Sequence, residues 1–308
     1  MIEGQSIPLS VEADTALGRF QDKLGYQFRD LALLQLALRI VENPSEGFEK
    51  SDALEWIGDA VLDVFLAEHA AAADSLSFEE ACSEWHTLRQ NKSYARLGVY
   101  LEISDIVQAA YNREEKSVRA TGARFYLTGS DIVEATFAAI MVDGSFARAR
   151  DAFSNIAKVV SPYAEFTQTS GTSERILETV RGVSQLVSNE SPIGTMFPLL
   201  DGELMSCVID GEKKLKFLGS AIATLAARWH RFALGSRHWK VDASRRDNIQ
   251  IRNHIAPSVV ADMIESLPGE CPRPKGKPIS TFYALLGAYY LTNGWEEAVS
   301  RYRRLFAE

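Results

Sequence analysis

Asp52, Glu55 and Asp59 stand at i, i+3 and i+7 within Ser51-Asp52-Ala53-Leu54-Glu55-Trp56-Ile57-Gly58-Asp59-Ala60-Val61-Leu62-Asp63. On a helix that spacing stacks three carboxylates on one face, interrupted by Leu54, Trp56, Ile57 and Val61. Like charges on one face repel, so the pattern calls for a cation, and a divalent ion with hard oxygen ligands is the natural occupant. A second pair, Asp131 and Glu134, lies one helical turn apart inside another apolar run. Four carboxylates from two helices, Glu55, Asp59, Asp131 and Glu134, suffice for one or two Mg2+ ions, with Mn2+ as a substitute. Glu134 and Asp59 are the expected direct ligands. Glu55 and Asp131 complete the shell or orient waters, and Asp52 supports them. The competing interpretation of the Asp52/Glu55/Asp59 face is an ordinary solvated helix surface.

The elements that must carry these residues read as helices almost throughout. Residues 1–14 are expected to form a loose leader. Helical spacing runs from Leu24 to Leu38, Ala53 to Ala73, Leu88 to Leu101 and Gly129 to Met141. Ser75-Leu76-Ser77-Phe78-Glu79-Glu80 carries a capping-box pattern with Ser75 or Ser77 as cap. Asp143-Gly144 is a stop signal, and another helix follows through Ala157. Cys207-Val208-Ile209 is the one short strand candidate. The polar stretch 165–173 reads as a linker.

Beyond that linker the chain begins again. Glu212 to Ile222 lines up with the segment from Asp52 to Val61, placing Gly219 on Gly58. Arg246-Asp247-Asn248 matches Arg89-Gln90-Asn91, Ser280 to Ala284 matches Asp131 to Ala135, and Asn293-Gly294-Trp295 matches Asp143-Gly144 with Phe146. Order and approximate spacing hold, which is the mark of an internal repeat. The acids do not survive, because Lys216, Ser220, Ser280 and Tyr283 replace Glu55, Asp59, Asp131 and Glu134. The apolar frame persists, so the second copy reads as a packing partner without a metal site.

Composition bounds the rest. A chain of 308 residues with 46% apolar content supports two packed domains or one large one. No run reaches the roughly 18 apolar residues of a membrane span, and neither a signal peptide nor a transit peptide is visible. Cys82, Cys207 and Cys271 fit no zinc spacing and read as reduced thiols; a cytoplasmic location is the default. Residues 1–165 hold 15 Lys and Arg against 26 Asp and Glu, net −11, whereas residues 166–308 hold 18 against 15, net +3. One half thus concentrates carboxylates, and the other is the better suited to a polyanion. With no strongly basic domain, nucleic-acid binding by this chain alone is expected to be modest and salt-sensitive.

Leu24-Gly25-Tyr26-Gln27-Phe28 with Leu33-Leu34 and Ala37-Leu38, the segment Leu54 to Asp63, and Asp131-Ile132-Val133-Glu134-Ala135 with Asp143-Gly144 together resemble the ribonuclease III family. The resemblance covers about residues 15–160 and, more weakly, 170–308. It implies an all-α protein of two ribonuclease III-like helical domains packed as an intramolecular pseudo-dimer: a catalytic domain over 15–164 and a degenerate one over 174–308. It also implies Mg2+-dependent hydrolysis of double-stranded or hairpin RNA to 5′-phosphate ends. The metal ligands carried over by position are Glu55, Asp59, Asp131 and Glu134. Asp52 stands where the family usually has Glu. One acidic centre per pair implies one strand cut per binding event. A C-terminal double-stranded-RNA-binding domain is absent from the pattern, so RNA capture calls for a protein partner or a particular RNA.

Arg89, Asn91, Lys92, Lys275 and Lys277 are candidate RNA contacts. Lys213, Lys214 and Lys216 form a basic cluster that suits either RNA or pairing with the acidic first half of the chain. His86 beside Trp85 reads as a helix-surface residue. Two further readings stand beside the nuclease. One is a non-catalytic ribonuclease III-like part of a ribonucleoprotein assembly. The other is a homodimer pairing two first domains, in place of a monomer with an internal pair.

Overall fold

The computed structural model describes residues 8–40, 44–72, 76–111, 129–164, 213–233 and 278–304. Regular structure among the described residues is helical throughout, as expected. No described helix is long and apolar enough to cross a membrane. The strand candidate at Cys207–Ile209 and the linker 165–173 lie outside the described residues.

The first helix, α1 (Val11–Leu24), starts inside the stretch read as a leader. The reason is Ser10, whose side chain accepts the Ala13 N–H at 3.2 Å and caps the first turn. The helix expected over 24–38 is split. α1 ends at Gly25 in the left-handed region (φ 66°), and α2 (Leu31–Ala37) restarts behind Asp30, which accepts the Ala32 N–H at 2.9 Å. Asp143 fixes the intervening loop. Its buried carboxylate accepts the Tyr26 hydroxyl (2.6 Å), the Arg29 N–H (2.9 Å) and the Asp30 N–H (3.0 Å).

α3 (Pro44–Ala72) contains the acidic face and extends further N-terminally than its apolar pattern. α4 (Phe78–Leu88) opens with Ser77 as cap: Ser77 N–H donates to Glu80 at 2.9 Å and Glu80 N–H to Ser77 Oγ at 3.2 Å. The helix expected over 88–101 is broken at Arg89–Gln90, so that α5 (Asn91–Tyr100) starts afresh behind Gln90. α6 (Ile103–Tyr111) was not anticipated from the sequence pattern. α7 (Gly129–Asp143) carries the second acid pair, and Ser145 caps α8 (Phe146–Ala157).

The chain divides into two compact units. One comprises Met1–Leu66, Glu84–Gln168 and Phe232–Trp239; the other comprises Ala67–Ser83, Thr169–Arg231 and Lys240–Glu308. In the first, α7 is the central element, buried from Ile132 to Met141, with α2, α5, α6 and α8 packed on it. Phe65 of α3 sits among Phe137, Phe146 and Phe153, with ring centroids 6.4, 5.1 and 5.5 Å away. Burial of rings of this size dominates the apolar energy of such a core.

The second unit contains α9 (Lys213–Ala233) as far as Arg231 and α10 (Pro278–Arg304), the latter kinked at Gly294 (φ 81°). A Cβ on Gly219 would run into the carbonyl oxygen of Tyr283. In the first unit a Cβ on Gly58 would meet the carbonyl oxygen of Glu134 in the same way. These are the pairs that the internal alignment set against each other. Within the second unit, Tyr290 donates to Glu68 at 2.7 Å and Phe78 lies edge-on to Phe217 at 6.4 Å, which ties Ala67–Ser83 to α9 and α10.

Candidate active site

α3 is buried on most of its circumference by Leu54, Ile57, Val61, Leu62 and their neighbours. What remains is an acidic stripe. The side chains of Asp52, Glu55 and Asp59 are 48%, 32% and 29% exposed, and Asp63 continues the stripe one turn on. From α7, Asp131 is half-buried and Glu134 is buried.

Gly58, between Glu55 and Asp59, lets the two helices meet backbone to backbone at Glu134. Only a residue without a Cβ permits that approach. The contact explains why Glu134 is buried among acids. Its carboxyl is pushed up to about 9, first by burial, then by Asp59, Glu55, Asp131 and Asp63. Glu55 is pushed up to about 7 by burial and then Asp131, against the opposing pull of Arg39. Burial also raises Asp52, with Arg39 again opposing. The four expected ligands are therefore brought into mutual electrostatic range from two helices, with Asp52 at the edge.

Two arginines flank the stripe. Arg39 Nη2 lies 2.9 Å from Asp52 Oδ1 and 2.8 Å from Glu55 Oε2, and its Nε donates to Ser51 Oγ at 3.1 Å. Arg89 Nη2 lies 3.0 Å from Asp63 and 3.8 Å from Asp59, with its guanidinium 4.3 Å from the centre of the Trp85 ring. Arg89, expected as an RNA contact, is thus held at the acidic stripe. Asn91 and Lys92 are exposed in the first turn of α5. Lys275 and Lys277 lie outside the described residues. Lys213 pairs with Glu79 at 2.8 Å, Lys216 is exposed on α9, and His86 is exposed and edge-on to Trp85.

Among the described residues no three acid, imidazole or thiol groups form a ready ion cage. Two carboxylates are instead turned to Arg39. The donor chemistry nonetheless fits a hard cation. Glu134 is only 7% exposed, and the described residues give its carboxyl no hydrogen-bond donor or ion-pair partner while Asp59, Glu55 and Asp131 face it. A buried carboxyl in that setting stays protonated or takes a cation.

Three residues were not singled out by the sequence pattern. Asp63 was legible as the next position of the stripe, four residues past Asp59. Tyr94 was not: it reads as an apolar position, yet its buried hydroxyl has no hydrogen-bond partner among the described residues, and Asp63, Asp59 and Glu134 act on it. Arg39 gave no signal, since it follows an apolar helix and precedes no motif.

The chain is similar in sequence to several known proteins. The chain is 33% identical over 138 residues to Ribonuclease 3 of Jannaschia sp. (strain CCS1), covering 44% of this chain and 58% of that relative. It is 30% identical over 134 residues to Ribonuclease 3 of Alkalilimnicola ehrlichii, covering 42% and 55%. A longer match, 23% identical over 210 residues, joins it to Ribonuclease 3 of Campylobacter concisus, covering 64% of this chain and 92% of the relative. The match thus spans a little over half the length of the relatives at 30% identity or more. No family model matches the chain. The relatives place the chain in relationship with the ribonuclease III family.

Proposed function

We propose that this relative of ribonuclease III is a divalent-metal-dependent endoribonuclease acting on double-stranded or hairpin RNA. Glu55, Asp59, Asp131 and Glu134 would hold the ion, Mg2+ in the first place and Mn2+ as its substitute. The observation that carries the reading is Glu134, a buried carboxyl without a cationic partner among the described residues, faced by three further acids on two helices. Bound there, the ion supplies Lewis acidity toward water and toward the phosphate oxygens.

The chain's own residues do the remaining work. Glu134 releases a proton from a buried position as the site fills. Asp59 and Asp131 contribute oxygen ligands from opposite helices. Arg89, stiffened by the Trp85 ring, stands beside the stripe with Asn91 and Lys92 as candidate phosphate contacts. In the second unit, Lys216, Ser220, Ser280 and Tyr283 occupy the positions aligned with the four acids. The matching close approaches at Gly58 and Gly219 support reading that unit as a degenerate copy. One centre then cuts one strand per binding event, leaving a 5′-phosphate.

One observation favours a second reading, a non-catalytic subunit of a ribonucleoprotein assembly: Arg39 and Arg89 already engage four acids of the stripe. The two readings separate on a labelled RNA duplex with Mg2+. The nuclease reading requires cleavage that disappears in Glu134→Gln, and the subunit reading requires binding with no cleavage by either protein.

A further inference from the structure

Arg39 occupies a position built for glycine. At the end of α2 its N–H donates to the Leu36 carbonyl at 2.9 Å and the Ile40 N–H donates to the Gln35 carbonyl at 2.8 Å. That double closure requires a left-handed residue between them, and Arg39 has φ 58°. The end of α1 closes in the same way, Gly25 N–H to Asp22 and Tyr26 N–H to Gln21, each at 3.1 Å, and there the left-handed residue is glycine. A side chain at this position is unfavourable for the turn, so its presence points to work done elsewhere. The turn sends the Arg39 guanidinium back onto α3, where it bridges Ser51, Asp52 and Glu55 and is 14% exposed.

Resting on the metal-dependent reading of the site, the geometry points to Arg39 as a tethered counter-cation that competes with the divalent ion for Glu55. In a half-buried site, a divalent ion on Glu55 repels a guanidinium held at contact distance on the same carboxylate. Entry of the ion therefore opens the Arg39–Glu55 pair. Ser51 and Asp52 remain as partners for the guanidinium, so the side chain shifts within its anchorage and is not expelled. Asp52 thereby gains a defined role, in that it parks Arg39 and is not itself a ligand. The site is charge-compensated while empty and fills at a higher ion concentration than it would without Arg39.

Mn2+ titration calorimetry on the full chain tests this with wild type, Arg39→Gly, Arg39→Lys and Glu134→Gln. Glycine suits the left-handed turn, so Arg39→Gly removes the guanidinium and keeps the backbone; circular dichroism in EDTA verifies the fold. Arg39→Gly is expected to bind Mn2+ about tenfold more tightly, the scale of one lost ion-pair competitor. Arg39→Lys, which keeps the charge, stays near wild type. Equal or weaker binding by folded Arg39→Gly, with binding lost in Glu134→Gln, overturns the role of Arg39 and leaves the metal site standing. No Mn2+ binding by wild type or Arg39→Gly overturns both.

Discussion

The backbone of Gly58 packs directly against the carbonyl oxygen of Glu134, with no room for a Cβ between them. Because Glu55 and Asp59 flank Gly58 by one turn and one residue, this contact sets a buried acid from α7 among the acids of α3. Packing and chemistry meet at one residue. Gly58→Ala forces the helices apart and is expected to lower stability by roughly 3 kcal/mol, the upper end of ordinary overpacking. Urea unfolding measures it. A change below about 0.5 kcal/mol, the level of a neutral surface substitution, contradicts the contact.

Glu134→Gln separates fold from function. The buried carboxyl has its pKa pushed up to about 9 from 4.5. A raised folded pKa contributes stability that is present below the unfolded value and is lost as pH rises toward the folded one. Without metal, wild type therefore weakens as pH rises from about 4.5 to about 9. The neutral isostere lacks this loss. Thermal melts in EDTA should show the two proteins alike near pH 4 and the variant more stable at pH 8, by an amount on the order of several kcal/mol.

Mg2+ should reverse that trend. Glu55 at about 7 and Glu134 at about 9 both release protons to bind a cation. Stabilisation by millimolar Mg2+ is expected to grow between pH 6 and pH 9, because binding competes with fewer protons. Melting-temperature shifts across that range measure it, and a flat profile in wild type contradicts the assignment of these two groups.

Asp143 illustrates an acid with a structural role. It accepts the Tyr26 hydroxyl and two backbone N–H groups of the loop between α1 and α2. Asp143→Ala leaves those donors unmet and is expected to remove roughly 3 kcal/mol of stability. Mn2+ affinity of the folded protein should stay within about twofold of wild type, a difference of less than about 0.5 kcal/mol, as read by calorimetry.

How much of this was legible depends on whether the signal was local. The acidic stripe was visible because helical periodicity places Asp52, Glu55 and Asp59 together without any tertiary information. The capping box at Ser77 and the stop at Asp143-Gly144 were visible for the same reason. The breaks at Gly25–Asp30 and at Arg89–Gln90 were hidden, since continuous apolar spacing ran through both and tertiary packing decided them. Arg39 was hidden twice over. Its left-handed turn is the one glycine would have announced, and its partners lie 12 to 16 residues away on another helix. Gly58 stood in the motif, but that it faces the Glu134 carbonyl is a tertiary fact.

Strand-resolved cleavage tests the single acidic centre most directly. A duplex RNA labelled differently on its two strands is incubated with the full chain and Mg2+, under conditions allowing one encounter per duplex, alongside Glu134→Gln. The predicted result is a cut in one strand per encounter by wild type, with a 5′-phosphate at the new end, and none by the variant. Cutting of both strands in one encounter by wild type, cleavage that persists in folded Glu134→Gln, or an intact duplex with wild type at saturating Mg2+, contradicts it.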